Sequence, residues 1–284
     1  MSCAPRLAAI GLMLLPGMGF PAAEPIRLRI TVLGSNPVTT ITVGDRPVQA
    51  IVDTGGGGAV TLSKELIDSV RGVRLPETRV SNDAFGRASI NYLYRVPRAT
   101  IGGQDFKDLT VLQALDHPPG SGPAVPNAIG RELLAKYFVV VDYAGGSITL
   151  WPPETRNTSC GRRTPIKMES AENDARLAVG EFDLQAGRIR LLFDTGAQYS
   201  ILPETLADQL HLGTITRGQT RFYQAEKFSA AGQALGPLEF VVLPATPPAG
   251  AQGFLGVNFF ARHVVCLDYR RKEIRIANAA VPGP

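Results

Sequence analysis

Apolar and polar residues alternate in short runs along most of this chain, and Gly-, Pro- or Asp-containing breaks separate the runs. That period of two predicts β-strands joined by tight turns. Thr40-Ile41-Thr42-Val43 and Pro47–Val52 flank Gly44-Asp45-Arg46, which predicts a hairpin. Phe138–Val141 and Ser147–Leu150 flank Ala144-Gly145-Gly146 in the same way, and a similar pair surrounds Arg270-Arg271. A helical period is confined to two short stretches. Ser63–Val70 carries Ser63 in the N-cap position, and Pro203–Leu210 has proline in its first turn. A different pattern occupies the start. Arg6 precedes an apolar run from Leu7 to Leu15, which Pro16 and Gly17 interrupt, and Pro21-Ala22-Ala23 follows. This predicts a cleaved export leader over residues 1–23, too short to span a membrane comfortably, with an uncleaved N-terminal anchor as the alternative.

The strand pattern also repeats. Val48–Gly55 returns as Ile189–Gly196, 141 positions later, and both copies end in Asp-Thr-Gly. Ala128–Ala135 returns as Phe254–Ala261 at an offset of 126, so an apolar-apolar-Gly block follows each Asp-Thr-Gly. The second block keeps register beyond its end, with Asp142-Tyr143 on Asp268-Tyr269 and Ile148 and Leu150 on Ile274 and Ile276. The chain therefore divides into two similar halves, 24–153 and 154–284, and the stretch from Trp151 to Pro165 reads as the linker.

Composition agrees with this picture. A hydrophobic content of 44% excludes a disordered chain, while 30 Gly and 22 Pro among 284 residues disfavour a helical bundle. The predicted fold is mainly β with short helices. A net charge of +4 without a long basic run excludes a nucleic-acid footprint. His117, His211 and His263 lack metal-ligand spacing, so neither a metal nor another cofactor is expected. Cys3 leaves with the leader. Cys160 and Cys266 remain as an even pair, expected to form a disulfide in an oxidising compartment, with two buried thiols as the alternative.

Asp-Thr-Gly is the motif that carries chemistry. Chance supplies on the order of 0.1 such triplets in a chain of this composition. Here there are two, each directly after an apolar strand. A strand delivers Asp to the molecular centre, and Gly lets the backbone turn beneath it. Thr supplies a hydroxyl for the opposite loop. If the halves face each other across a pseudo-two-fold axis, Asp53 and Asp194 meet there, where two carboxylates cannot both ionise cheaply. Such a pair can deprotonate a water and polarise an amide carbonyl, the requirements for peptide hydrolysis without a covalent adduct.

These blocks resemble the aspartic protease superfamily, in particular bilobal proteins of pepsin or retropepsin type from bacteria. The resemblance implies two β-barrel lobes with the active site in the cleft between them. It implies a catalytic dyad of Asp53 and Asp194, supported by Thr54, Gly55, Thr195 and Gly196. The apolar-apolar-Gly strands, with Gly130 and Gly256, are implied to cross beside the catalytic loops. A peptide or protein is the implied substrate, for a monomer that is exported to the periplasm or secreted.

Departures from the family pattern carry their own expectations. Pepsins place Ser or Thr after the triplet, whereas Gly56 and Ala197 stand here, so activity is expected at mildly acidic rather than strongly acidic pH. Gly57 and Gln198 occupy the position where retroviral proteases carry the acidic partner of the Gly-Arg arginine, so Arg131 needs another partner. A flap is expected over Val80–Tyr94 with its tip at Asn82–Arg87, and Phe85 is a candidate substrate contact. Phe222 and Tyr223, within Arg217–Ala231, are candidates for a matching cover; ordinary packing is the alternative for each aromatic. The runner-up function is an inactive exported protein whose cleft binds peptides.

Overall fold

The computed structural model describes residues 24–279 except 34–35, 116–124, 156–158, 162, 172–173, 186 and 219. The predicted leader and His117 lie outside the described residues.

The alternating runs form strands, as the pattern predicts. Asn36–Val43 and Arg46–Val52 pair antiparallel around Gly44, whose φ of +60° suits a residue without Cβ. Phe138–Asp142 pairs with Ser147–Trp151, and His263–Asp268 with Glu273–Asn278. The helix Lys64–Ser69 begins at Ser63, whose hydroxyl accepts from the Leu66 amide. Glu204–Gln209 is helical too, with Pro203 at its N-cap.

Three sheets organise the molecule. The first half builds an eight-stranded sheet that an extra pairing of Asn36–Val43 with Ala88–Ile101 curls toward closure. The second half builds a ten-stranded sheet. A six-stranded sheet joins them, in the order Ile26–Arg29, Ser147–Trp151, Phe138–Asp142, His263–Asp268, Glu273–Asn278, Ile166–Lys167. Its central pairing sets Val140 opposite Cys266, so each half contributes three strands to one shared floor. The result is the bilobal, mostly β architecture expected from the repeat.

The two lobes fill equivalent spaces with different side chains. Ile41, Leu62, Ile67, Ile101, Ile129 and Leu133 are fully buried in the first lobe. In the second, Phe182, Phe193, Phe228 and Phe259 pack with ring centroids 4.9–6.4 Å apart. A sheet face accepts either solution when the volume is filled. The core therefore preserves the repeat in pattern rather than in identity. Cys160 and Cys266 form a disulfide with a Cα–Cα distance of 6.1 Å, which fastens the linker to the shared sheet beside Phe138 and Val140.

Candidate active site

Both Asp-Thr-Gly triplets leave a strand that is clamped in the same way. Arg46–Val52 runs parallel to Ala128–Ile129, and Gly187–Phe193 runs parallel to Gly253–Leu255. The ladder continues one step further in each lobe, since the Asp53 amide donates to Ile129 O at 2.9 Å and the Asp194 amide to Leu255 O at 3.0 Å. Each aspartate is thus fixed at the last rung of a parallel pair, where its side chain projects from the end of a rigid ladder.

The threonines lock the two ends together. Thr54 N–H donates to Thr195 Oγ1 and Thr195 N–H to Thr54 Oγ1, each at 3.0 Å. Thr54 Oγ1 in turn donates to Phe193 O at 2.7 Å, and Thr195 Oγ1 to Val52 O at 2.6 Å. The four bonds cross from lobe to lobe, and both threonines are buried, so the network satisfies both hidden hydroxyls and both threonine amides.

The glycines make the close approach possible. A Cβ on Gly55 would sit 2.6 Å from the Asp194 carboxyl carbon, and one on Gly196 the same distance from that of Asp53. Each carboxylate therefore lies against the opposite loop. Asp53 Oδ1 accepts from the Gly55 and Gly56 amides at 2.9 and 2.7 Å, and Asp194 Oδ1 accepts from Gly196 at 2.9 Å. Burial, then the neighbouring Asp53 charge and a hydrogen bond to Asp53, holds the Asp194 carboxyl well above the usual carboxylate range. The pair retains a proton where isolated carboxylates have lost theirs.

This shift fixes the sign of one pH effect. The folded protein holds the Asp194 proton at pH values where the unfolded chain has released it, so stability falls as pH rises from the unfolded carboxylate pKa toward the folded one. Asp194→Asn removes that penalty. The variant is expected to gain melting temperature relative to wild type between pH 4 and pH 7, by differential scanning calorimetry. A constant difference across that interval would contradict the buried, proton-holding dyad.

Gly130 and Gly256 serve close packing of a different kind. A Cβ on Gly256 would lie 2.3 Å from the backbone carbon and oxygen of Tyr199, and one on Gly130 would lie 2.5 Å from Gly57 O. Neither glycine has a positive φ, so the need is space rather than conformational freedom. Gly256→Ala must push the loop that follows Asp194 aside, at a cost of about 1–3 kcal/mol of stability. Thermal unfolding reads that cost, and a change below about 0.3 kcal/mol would show that the loop yields freely.

The first flap is longer than Val80–Tyr94. Val73–Asn82 and Ala88–Ile101 form its arms, and Asp83 caps the tip by accepting from the Phe85 and Arg87 amides. The tip reaches the other lobe. Ala84 O accepts from the Thr246 amide at 2.8 Å, and Ala84 packs in a cluster with Ala197, Ile201 and Phe254. Phe85 is 43% exposed at this tip, with the Arg87 guanidinium over its ring. In the second lobe, Gly213–Arg217 and Thr220–Ala225 form the corresponding hairpin. Phe222 and Tyr223 are not at its tip. They are buried in the strand, where Phe222 packs on Tyr199 and the Tyr223 hydroxyl bonds Asp208; adjacent residues point to opposite faces, so both faces of the strand are covered there.

Three site residues, Tyr143, Asn36 and Asp174, escaped the sequence reading. Tyr143 is buried beneath the dyad and donates to Thr195 O at 3.4 Å; burial, and then the Asp194 and Asp53 charges, keep its hydroxyl protonated. Its signal was present in the duplicated Asp-Tyr pair. Asn36 donates to Gly196 O at 2.7 Å, and nothing in its local pattern distinguishes it. Arg131 finds its acidic partner in Asp174, from the other half of the chain.

A family model described as aspartyl protease matches residues 39–133, the span that carries Asp53 through the helix after Gly130. Among solved structures, the chain is similar to the aspartic proteinase from Irpex lacteus. The two are 13% identical, the match covers 90% of this chain and 98% of that one, and the TM-score is 0.64. No curated protein matches the chain in sequence. The fold is that of a bilobal, pepsin-like aspartic proteinase, and the first lobe carries the sequence signature of aspartyl proteases.

Proposed function

We propose that this chain is an aspartic endopeptidase whose catalytic residues are Asp53 and Asp194. The observation that carries the reading is the crossed arrangement of two buried carboxylates, each against the glycine of the opposite triplet, with one proton retained between them. In the proposed step the ionised carboxylate takes a proton from a water lying between the two. The hydroxyl oxygen bonds to the amide carbon, and the protonated carboxyl gives its proton to the carbonyl oxygen. The tetrahedral intermediate then collapses as its C–N bond breaks: the amine nitrogen takes the proton that the first carboxylate received from water, and a hydroxyl of the intermediate returns a proton to the other carboxylate. No bond forms between enzyme and substrate.

The flap contact at Thr246 supports a substrate that enters when the tip lifts and is then covered. The leader and the disulfide support export to the periplasm or beyond, for a monomer whose cleft already holds both aspartates. Backbone amides rather than side-chain hydroxyls contact the dyad at Gly56 and Ala197, which supports an optimum at mildly acidic pH. The test is a digest of unfolded protein across pH 2–7, with product ends read by mass spectrometry and a statine-containing peptide as inhibitor. Cleavage that this inhibitor blocks is the expected result. Failure to cut any unfolded protein, with the inhibitor still bound, would favour the inactive peptide-binding alternative.

A further inference from the structure

The catalytic loop of the first lobe is built from four consecutive glycines, Gly55–Gly58, the least restrained sequence a chain can offer. Yet it must hold Asp53 against Asp194. Two of its four carbonyls, and that of Ala59 beside them, are pinned by one short segment. Arg131 N–H donates to Gly56 O, Glu132 N–H to Gly58 O and Gly130 N–H to Ala59 O, each at 3.0 Å. The remaining restraint comes from a side chain. Arg131 Nη1 donates to Gly55 O at 2.7 Å while its Nε donates to Asp174 Oδ2 at 2.8 Å.

Asp174 belongs to the second lobe, and it is the first residue of the strand Asp174–Leu184 that opens the hairpin into Asp194. In the first lobe Asn36 begins Asn36–Val43, the strand that opens the hairpin into Asp53, and it lies level with Leu177, three residues nearer the hairpin turn than Asp174. Asn36 also crosses the cleft, donating directly to Gly196 O. Gly55 and Gly196 are equivalent residues of the two triplets. Each lobe therefore sends the start of its own hairpin to hold the same carbonyl of the other lobe's loop, once directly and once through an arginine. The arginine arm is well supported. Asp174 is only 12% exposed and Arg131 20%, and Arg176 contacts both Asp174 and Glu132, which also pairs with Arg79 of the flap. Hydrogen bonds from Arg176 and Arg131 outweigh burial and keep Asp174 ionised far below the usual carboxylate range.

We infer that Asn36 and the Arg131–Asp174 pair are crossed positioning residues, each bracing the catalytic loop of one lobe from the other and so fixing the separation of Asp53 and Asp194. This rests on the proposed role of the two aspartates in catalysis. The arginine arm replaces a local acidic partner that Gly57 cannot supply, and it ties the geometry of the dyad to the docking of the lobes.

The test has two readouts on the full chain, with Arg270→Ala, at the exposed Arg270–Glu154 pair, as control. Amide hydrogen exchange reads each loop separately. Asn36→Ala is expected to speed exchange in residues 194–198 and leave 53–59 unchanged, whereas Arg131→Met and Asp174→Asn do the reverse, each by roughly tenfold. Peptide-cleavage kinetics read the consequence. Each variant is expected to lose roughly 10- to 100-fold in kcat with little change in KM. Arg131→Met and Asp174→Asn should be non-additive, because they interrupt one arm. If Arg131→Met does not fold, Asp174→Asn, which keeps the arginine, carries the same expectation. Exchange that rises evenly over both loops, or in neither, would overturn the inference. A wild type that cleaves nothing but shows the crossed exchange pattern would defeat the endopeptidase reading and leave the bracing intact.

Discussion

Asp53→Asn and Asp194→Asn are each expected to lower the proposed peptide hydrolysis by about 100- to 10,000-fold, the range spanned by removal of a positioned acid or base. Asparagine keeps the shape of the side chain and its carbonyl oxygen still accepts from the Gly55, Gly56 or Gly196 amides, so the loops keep their course. What is lost is the capacity to take a proton from water or to give one to a carbonyl. The two variants differ in stability, however. Asp194→Asn relieves a buried carboxyl of its desolvation cost near neutral pH, and so should stabilise the fold while removing its activity. A residue that served only packing would lose both together. Initial rates on a peptide substrate, alongside calorimetry of the same samples, check the pair of signs. Rates within roughly threefold of wild type for either variant would remove Asp53 and Asp194 from the mechanism.

Replacing Cys160 and Cys266 with alanine destabilises the protein by about 4–5 kcal/mol in the chain-entropy model, because the bond closes a loop 106 residues long. That loop contains nearly all of the second lobe, including Asp194 and Gly256, so its ends cannot separate in the unfolded chain while the bond persists. For a chain of this size the loss corresponds to a drop in melting temperature of roughly 10–20 °C. Single and double variants should unfold alike, since either one opens the loop. The cystine also packs against Phe138 and Val140 on the shared sheet, where its removal leaves space. Calorimetry at fixed pH measures the effect. A fall smaller than about 3 °C would show that the unfolded chain remains restrained without the bond.

The fold was legible in the sequence where local pattern and tertiary need coincide. Gly44 and the runs around it predict a hairpin because turn chemistry and alternation are both local. The duplicated triplets marked the place where the halves meet because a motif that chance supplies about 0.1 times in such a chain occurs twice, each time after an apolar strand. The flap was legible at its tip, where Asp83 and Gly86 make a turn, but its arms extend to Val73 and Ile101, beyond the strongest alternation. For Phe222 and Tyr223, cover and ordinary packing read alike in sequence, because a strand residue does not show whether its face is covered; here both faces are. Asn36 and Asp174 left no signal. Their partners stand 160 and 43 positions away, and a lone polar residue at a strand end looks the same whether it meets solvent or a catalytic loop.

By itself, then, the sequence determined that the chain is two copies of one mainly β unit, each ending an apolar strand in Asp-Thr-Gly, because alternation and motif spacing are written along the chain. The tertiary structure decided how those copies meet. It set each glycine under the opposite carboxylate, exchanged the threonine hydrogen bonds between lobes, and gave Arg131 a partner from the other half. Those contacts depend on two surfaces brought together by a shared sheet, and one strand cannot encode the distance to another that folds independently of it.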